Sequence, residues 1–405
     1  MASPDALECS VVIPCLDEEK TITLCIEKAL RAMKEAGIPG EVVVSDNGST
    51  DRSVEVSTEA GARVVHCPVR GYGAALQFGF ANALGRYVVM GDADDSYDFL
   101  ETPRFVAKLR EGHRFVMGTR LKGTVMPGAM PTLNRYLGTP VLTFLLNRLF
   151  GSSISDCNCG MRGLHRETYL SLGVVSPGME FASEMIVKAR VHGVPIVEVP
   201  ITLHTDKRGR PPHLRPWRDG WRHLRLLLWH APDATMTIPG LGALALGFGL
   251  VLWQLFGPYH YGGWTFDLHY MILGLTLAVL GMSSLSMGVA VHAVMPPGML
   301  YNPRFLGDAR RWFTFDRAML GALALVLGGV ACDGYVLAWW LLHHRGALTP
   351  DFTRLSLFGL VLLAFGFQSA LLGLLVGSAS SAMARSVVPV GENGPSRPPQ
   401  AVTAP

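Results

Sequence analysis

Charged side chains are scarce in this sequence, and lysine is absent from its C-terminal part. Of the 405 residues, 17% are charged and 49% are hydrophobic, whereas a typical soluble domain has about 25% charged residues. Residues 237–405 contain no lysine, eight arginines and six acidic residues, which leaves 27 basic and 26 acidic side chains for residues 1–236. The first part therefore has the composition of a soluble domain, and the second does not. A net charge of +3 over 405 residues is too small for the strongly basic surface that nucleic-acid binding requires, so we expect no nucleic-acid partner.

The sequence also lacks the marks of an exported, disulfide-bonded protein. Its seven cysteines are scattered, and the one close pair, Cys157 and Cys159, has poor spacing for zinc. Met1–Ser10 has neither the basic region nor the apolar run of a signal peptide. We therefore expect free thiols in a reducing compartment and a first domain that is not exported.

Long apolar runs are concentrated in the second part. Four segments have roughly 20 residues or more, which is enough to cross about 30 Å of hydrocarbon. They are Thr237–Phe256, Tyr270–Val294, Ala318–Leu342 and Leu355–Ser378. The sequence predicts an integral membrane protein with four transmembrane helices over 237–378. The remaining residues, 379–405, are rich in Ser, Pro and Gly and are predicted to be a disordered tail.

The loops between these segments predict an orientation. Residues 257–269 contain no Lys or Arg, residues 295–317 contain four arginines, and residues 343–354 contain two. Cytoplasmic loops carry an excess of positive charge. We therefore expect the second loop, both termini and the whole first domain to be cytoplasmic, at the inner membrane if the cell is bacterial.

Strands and helices alternate in the first part, which predicts an α/β domain with a mostly parallel, Rossmann-like sheet. In such sheets ligands bind beyond the carboxyl ends of the strands. Three polar clusters follow predicted strands, at Pro14–Glu19, Asp46–Asp51 and Asp92–Asp95. We expect them to converge on one edge of the sheet.

The cluster Asp92-Ala93-Asp94-Asp95 is the sharpest chemical signal. Two carboxylates placed two residues apart just after a strand can hold a hard divalent cation that also binds diphosphate oxygens. The cluster that begins at Asp46 has two compatible interpretations. One is a turn built on Asn47 and Gly48, and the other is a strand end that binds a ligand. Both can hold together.

These residues carry a resemblance to a known family. The matching segments, in order, are VIPCLDE at 12–18, DNGSTD at 46–51, GYGAA at 71–75, DADD at 92–95, GTR at 118–120 and DCNCGMRG at 156–163. Residues 8–210 resemble family 2 glycosyltransferases with a GT-A fold. More narrowly, they resemble polyprenyl-phosphate glycosyltransferases such as dolichol-phosphate mannose and glucose synthases. The motifs are specific for the family but not for the sugar.

The resemblance implies a donor site that contains Mg²⁺ or Mn²⁺. Asp92 and Asp94 would bind the metal on the diphosphate, with Asp94 as a catalytic residue. Ser96 stands where the family often has Gln, so either its hydroxyl or water would be a further ligand. The other donor-binding residues implied are Pro14, Leu16 and Glu18 at the base and ribose, Asp46 at the base, and Gly71 and Gly73 where the backbone passes close to the donor. Leu16 replaces the usual aromatic residue of the family.

The resemblance also implies an acceptor site. Arg120 and Arg135 match family positions that engage phosphate, for which a guanidinium fork is well suited. Lys207 and Arg208 follow the last strand of the domain and are further candidates for the acceptor phosphate; the alternative for each is a solvated surface cation. Asp156 matches an acidic position that acts either as a general base or as an orienting group, and orientation is favoured.

Two segments predict contact with the membrane surface. Residues 133–150 have an apolar helical stripe, and residues 211–236 form a juxtamembrane amphipathic segment that includes three tryptophans and four arginines within 215–230. Interfacial helices have this composition. Core packing is the alternative for both segments.

The predicted function is the inverting, metal-dependent transfer of a hexose to a polyprenyl (dolichyl or undecaprenyl) phosphate at the cytoplasmic membrane face. The donor would be a nucleotide sugar of the GDP-mannose or UDP-glucose type. A transferase to another lipid and a polysaccharide synthase are alternatives, although no Q-x-x-R-W motif follows the domain. A lipid flippase with a regulatory nucleotide-binding domain is the non-enzymatic alternative. The sequence leaves the sugar, the isoprenoid length and a homo-oligomer open.

Overall fold

The computed structural model describes residues 7–209, 216–295, 300, 314–343 and 346–386. These residues divide into two compact units, one ending at Ala231 and the other beginning at Pro232. The first unit contains a seven-stranded sheet and the second contains long apolar helices. We describe each unit by itself.

The sheet of the first unit is mostly parallel, which confirms the predicted fold class. Its strands are Cys9–Cys15 (β1), Gly40–Asp46 (β2), Arg63–His66 (β3), Tyr87–Met90 (β4), Phe115–Val125 (β5), Arg162–His165 (β6) and Ile196–Leu203 (β7). Their order is β3-β2-β1-β4-β6-β5-β7. Only β6 is antiparallel, and it pairs with both β4 and β5.

Helices cover both faces of this sheet. They are Ile22–Glu35 (α1), Ser53–Glu59 (α2), Tyr72–Asn82 (α3), Thr102–Arg110 (α4), Thr139–Phe150 (α5), Arg166–Leu172 (α6), Phe181–Val191 (α7) and Pro216–His230 (α8). Side chains alternate between the faces along β1, so that Val11 and Ile13 pack in one buried cluster with α1 while Val12 packs in another with α3. Because both faces are covered, the central strands are apolar along almost their whole length.

The two predicted interfacial segments each have a buried side and an exposed apolar side. In the first, Leu146 and Phe150 of α5 are buried in the core, whereas Phe144 is 66% exposed. In the second, Leu227 of α8 is buried and Trp217 is 89% exposed. Other large exposed apolar side chains in these segments are Leu133, Tyr136, Leu137, Val141, Trp221 and Trp229. Core packing thus accounts for one face of each segment, and the other face is apolar surface of the kind that marks an interaction site. Residues 211–215 lie outside the described part of the chain.

Among its described residues, the second unit has four helices that are long and apolar enough to cross a membrane. They are Ile238–Leu255 (α9), Leu268–Val294 (α10), Phe315–Leu342 (α11) and Pro350–Ser386 (α12), and a short hairpin of Tyr259–Tyr261 (β8) and Trp264–Phe266 (β9) joins the first two. Glycines let α9 and α10 approach closely, since a Cβ at Gly240 would lie 2.9 Å from the carbonyl oxygen of Gly281. Between α11 and α12, Ser356 donates a hydrogen bond of 2.7 Å to Asp333.

The final helix extends past the fourth predicted transmembrane segment. It continues to Ser386, eight residues beyond the predicted end of that segment at Ser378. The candidate membrane span within this helix is Pro350–Ser378, which ends at the same residue as the predicted segment. Residues 387–405 lie outside the described part of the chain.

Candidate active site

The predicted polar clusters follow the ends of three neighbouring strands. In the sheet, β1 lies between β2 and β4 and is parallel to both. Asp46 is the last residue of β2 and pairs with Cys15 at the end of β1. Asp92 and Asp94 come directly after β4 ends at Met90. The carboxylates of three distant sequence motifs are thus brought to one edge of the sheet.

The carboxylate of Asp92 is oriented by a residue that the sequence analysis missed. The hydroxyl of Tyr72, at the start of α3, donates a hydrogen bond of 2.8 Å to Oδ1 of Asp92. Burial, followed by the neighbouring charge of Asp94, raises the pKa of Asp92 to about 6. Two like charges held together in this way favour a bound cation, which stabilises both ionised forms. The only sequence signal for Tyr72 is its position directly after Gly71.

Both oxygens of Asp94 have partners. The hydroxyl of Ser96 donates a hydrogen bond of 2.6 Å to Oδ1. Nη2 of Arg208 donates one of 2.6 Å to Oδ2. Ser96, for which the alternatives were a metal ligand or a site replaced by water, therefore lies where it orients Asp94.

The described residues contain no cluster of three or more His, Cys, Asp or Glu side chains able to hold a metal. Asp92 and Asp94 alone still fit a hard divalent cation, because each is an oxygen ligand and Mg²⁺ commonly takes one or two carboxylates together with water and substrate phosphate oxygens. Both carboxylates follow the end of β4 and are held in place by the hydroxyls of Tyr72 and Ser96, and this pair of oriented oxygen ligands supports the fit.

The two basic residues after β7 contact the acidic clusters. Nη1 of Arg208 lies 3.2 Å from Oε1 of Glu18, and Nζ of Lys207 lies 2.7 Å from Oδ2 of Asp95. Asp95 is buried and also accepts a hydrogen bond of 2.6 Å from Lys28 of α1. The sequence analysis included Asp95 in the acidic cluster without giving it a role, and it missed Lys28. Of the predicted acceptor ligands, Arg208 thus contacts two carboxylates assigned to the donor, and Lys207 contacts Asp95 beside them.

Arg120 and Asp156 form a two-pronged ion pair. Nε and Nη2 of Arg120 donate hydrogen bonds of 2.7 and 2.8 Å to the two carboxylate oxygens of Asp156, which is fully buried. The backbone N–H of Arg120 adds a third bond to the same carboxylate. An acid bound in this way fits an orienting role better than that of a general base. Arg135, by contrast, is exposed, with its guanidinium 5.6 Å from the ring centroid of Tyr136.

The loop after β1 is bonded to the turn after β2. The backbone N–H of Glu18 donates a hydrogen bond of 2.7 Å to the hydroxyl of Ser53. Asp46 accepts bonds from the backbone N–H groups of Gly48 and Ser49, so the turn interpretation of this cluster is correct. Burial alone would raise the pKa of Asp46, but hydrogen bonds from Ser49, His66 and Gly48 lower it, and the carboxylate stays ionised as an acceptor. Pro14 and Leu16 flank the end of β1 at the same edge.

The structure supplies a packing reason for Gly71 and Gly73. Gly71 has φ 143°, and a Cβ there would collide with the carbonyl oxygen of Pro177. A Cβ on Gly73 would lie 2.7 Å from Cβ of Phe181 and would collide with the carbonyl oxygen of Ser176. Because both residues are glycines, the segment before α7 can pack closely against the start of α3. This packing fixes the position of Tyr72, which lies between the two glycines in the sequence.

Comparison with known proteins identifies two segments. Residues 10–173 match the family described as "Glycosyl transferase family 2", and residues 289–380 match the "Glycosyltransferase family 2 C-terminal transmembrane region". The low-salt glycan biosynthesis hexosyltransferase Agl6 of Haloferax volcanii is 37% identical over 344 residues, which cover 84% of this chain and 81% of that relative.

Two further relatives match shorter parts of the chain. Glycosyltransferase AglJ of Haloferax volcanii is 31% identical over 221 residues, which cover 54% of this chain and 70% of AglJ. An undecaprenyl-phosphate 4-deoxy-4-formamido-L-arabinose transferase of Pectobacterium carotovorum is 33% identical over 169 residues, which cover 40% of this chain and half of that relative.

Proposed function

The chain belongs to glycosyltransferase family 2, and from this premise we propose that it transfers a hexose from a nucleotide sugar to a polyprenyl phosphate with inversion at the sugar. The carboxylate pair Asp92 and Asp94, held at the end of β4 by Tyr72 and Ser96, carries the proposal. The names of Agl6 and of the undecaprenyl-phosphate transferase support the sugar class and the acceptor class.

The donor nucleotide would bind over the ends of β1, β2 and β4. Asp92 and Asp94 would hold Mg²⁺ or Mn²⁺, which when bound stabilises the negative charge of the departing diphosphate. Pro14, Leu16, Glu18 and Asp46 would line the base and ribose, as proposed from the family resemblance. Asp46 suits this role because its lowered pKa keeps it an ionised hydrogen-bond acceptor, for which ribose hydroxyls and base N–H groups are donors.

The acceptor phosphate would bind at Arg120. Asp156 engages Nε and Nη2 of that arginine, which directs Nη1 to a phosphate oxygen. A lipid monophosphate has a second pKa of about 6 and is largely dianionic at neutral pH, so it needs no strong general base. Asp156 would therefore act by positioning Arg120. Arg135 would contribute a second charge-assisted contact from the exposed turn before α5.

The lipid acceptor requires that the site lie at a membrane surface. The exposed apolar faces of α5 and α8 would enter the headgroup region, and the four apolar helices would anchor the chain. The four arginines within residues 295–317 favour a cytoplasmic site, where nucleotide sugars are available.

The test is transfer by the purified full-length protein in detergent. Each of several labelled nucleotide sugars is mixed with undecaprenyl or dolichyl phosphate and Mg²⁺, and the products are partitioned between organic solvent and water. We expect labelled hexose in the lipid phase, as a single phosphodiester with the anomeric configuration opposite to that of the donor. Label in a water-soluble polymer would favour a polysaccharide synthase, and no transfer from any donor would contradict the proposal. Asp94→Asn is the inactive control.

A further inference from the structure

The segment after β7 lies along the acidic loop that follows β4. Tyr97 forms a β-bridge with Leu203, and the backbone N–H of His204 donates a hydrogen bond of 2.8 Å to the carbonyl oxygen of Ser96. The backbone N–H of Lys207 makes a longer bond of 3.3 Å to the carbonyl oxygen of Asp94. These contacts bring two consecutive cations to the candidate metal ligands.

The first cation, Lys207, is attached to a buried acid that has no assigned role in the reaction. Asp95 has one oxygen 2.7 Å from Nζ of Lys207 and the other 2.6 Å from Nζ of Lys28. Its φ of 60° lies in the left-handed region, which is costly for a residue with a side chain. Asp95 therefore links the segment after β7 to α1, independently of Asp92 and Asp94.

The second cation, Arg208, contacts a candidate metal ligand directly. Its guanidinium is largely buried and contacts Asp94 through Nη2 and Glu18 through Nη1. Nη2 of Arg208 lies 2.6 Å from Oδ2 of Asp94, so a divalent cation at that oxygen would be repelled by the guanidinium charge, and the two cations compete for Asp94. Without a cation in this place, the buried negative charge of Asp94 would be stabilised only by neutral hydrogen-bond donors such as Ser96, which is less favourable than a charged partner.

We propose that Arg208 is an internal counter-ion that holds Asp94 and Glu18 until a divalent cation displaces it, while Lys207 and Asp95 keep the segment attached. The proposal rests on the proposed function in one respect, namely that Asp94 is a metal ligand. The displaced guanidinium stays within reach of the donor diphosphate, because its neighbour remains bonded to Asp95. Metal binding and release of Arg208 are then one event. The metal affinity measured without donor is lowered because only the fraction of molecules in which Arg208 has left Asp94 can bind the metal.

Direct measurement of Mn²⁺ binding tests this without any turnover. The full-length protein in detergent is titrated with Mn²⁺, and the free ion is followed by electron paramagnetic resonance. We expect Arg208→Gln to bind Mn²⁺ about tenfold more tightly than wild type, since a charge-assisted hydrogen bond to Asp94 no longer competes. Arg70→Gln removes the same charge from an exposed guanidinium that lies beside Gly48, and it should change the affinity less than threefold because exposed charges interact weakly.

Two further variants separate the possible failures. Asp94→Asn should weaken Mn²⁺ binding strongly; if it does not, the metal site and the proposed function are wrong. If Asp94→Asn weakens binding but Arg208→Gln binds Mn²⁺ no more tightly than wild type, only the counter-ion proposal is overturned. Equal tightening by Arg70→Gln would also overturn it, since the effect would then be one of general charge. Arg208→Lys keeps the charge but loses the two-pronged guanidinium, so its Mn²⁺ affinity should lie between those of wild type and Arg208→Gln. If Arg208→Gln does not fold, the affinity of Arg208→Lys decides the question.

Discussion

Arg120 holds the buried carboxylate of Asp156 through two parallel hydrogen bonds of 2.7 and 2.8 Å, and a third bond from its own backbone N–H closes the arrangement. The side chain of Arg120 is itself only 11% exposed. The Asp156 carboxylate and the Arg120 guanidinium are thus held in one fixed geometry. We therefore expect a substitution of either residue to affect the same step.

Asp156→Asn should impair acceptor binding more than turnover. The amide presents N–H groups where Arg120 needs an acceptor, so the guanidinium loses its fixed orientation. We expect the acceptor KM to rise by roughly tenfold to a hundredfold, as the loss of charged hydrogen bonds of about 1.5–3 kcal/mol implies. The measurement is separate titration of lipid phosphate and nucleotide sugar. A fall in kcat at unchanged acceptor KM would instead restore the role of Asp156 as general base.

Substitutions of Arg135 should distinguish the acceptor from the donor. Its exposed position before α5 lies next to the apolar face expected to meet the membrane. We expect Arg135→Ala to raise the acceptor KM at unchanged donor KM, and Arg135→Lys to lie between it and wild type because lysine keeps the charge but not the fork. A defect confined to the donor titration would move Arg135 to the donor side, and wild-type kinetics of both variants would make it a solvated surface residue.

Tyr72→Phe should weaken metal binding without disturbing the fold. The variant keeps the ring and removes the hydroxyl that bonds Oδ1 of Asp92. Loss of a group that orients a metal ligand typically costs about tenfold to a hundredfold in affinity. Mn²⁺ titration of the variant in detergent measures it, with Tyr136→Phe, an exposed tyrosine outside the site, as the matched control. Equal affinity of Tyr72→Phe and wild type would show that Asp92 needs no such support.

Gly73→Ala should destabilise the first unit, whereas Gly220→Ala should not. A Cβ at Gly73 would lie 2.7 Å from Cβ of Phe181, and overpacking of this kind costs about 1–3 kcal/mol. Gly220 lies in α8 with nothing within 4 Å of a built Cβ, so alanine there should be neutral or stabilising by up to about 1 kcal/mol. Thermal unfolding of both variants in detergent compares them. An unchanged melting temperature for Gly73→Ala would contradict the packing argument.

The predicted orientation is tested by labelling single cysteines in intact cells. A cysteine in residues 257–269, which have no Lys or Arg, should react with an impermeant reagent from outside the cell. A cysteine in residues 295–317 should react only after lysis. The parent for both is a variant without the native cysteines, which must itself remain unlabelled. The reverse pattern would place the catalytic unit outside the cytoplasm.

Much of the site could be predicted because strand ends are local features. Apolar β2 and β4 can be read directly from the residues that precede Asp46 and Asp92, and parallel strands present their carboxyl ends at one edge. The four long apolar helices are equally local, since their length and composition alone suit a bilayer. The antiparallel strand β6 escaped prediction because four residues, of which one is glycine and two are basic, carry almost no strand pattern.

The sequence by itself determined which carboxylates reach the sheet edge and which segments can span a membrane, because both follow from neighbours within one element. Only the tertiary structure decided their partners. Arg208 is 114 residues from Asp94, and Tyr72 is 20 residues from Asp92. No local pattern shows such pairings, because a cation or a phenol binds whichever acid the fold brings to it. That is why Lys207 and Arg208, basic residues that suggested a phosphate site, are found paired with Asp95 and Asp94, whose burial favours a counter-charge.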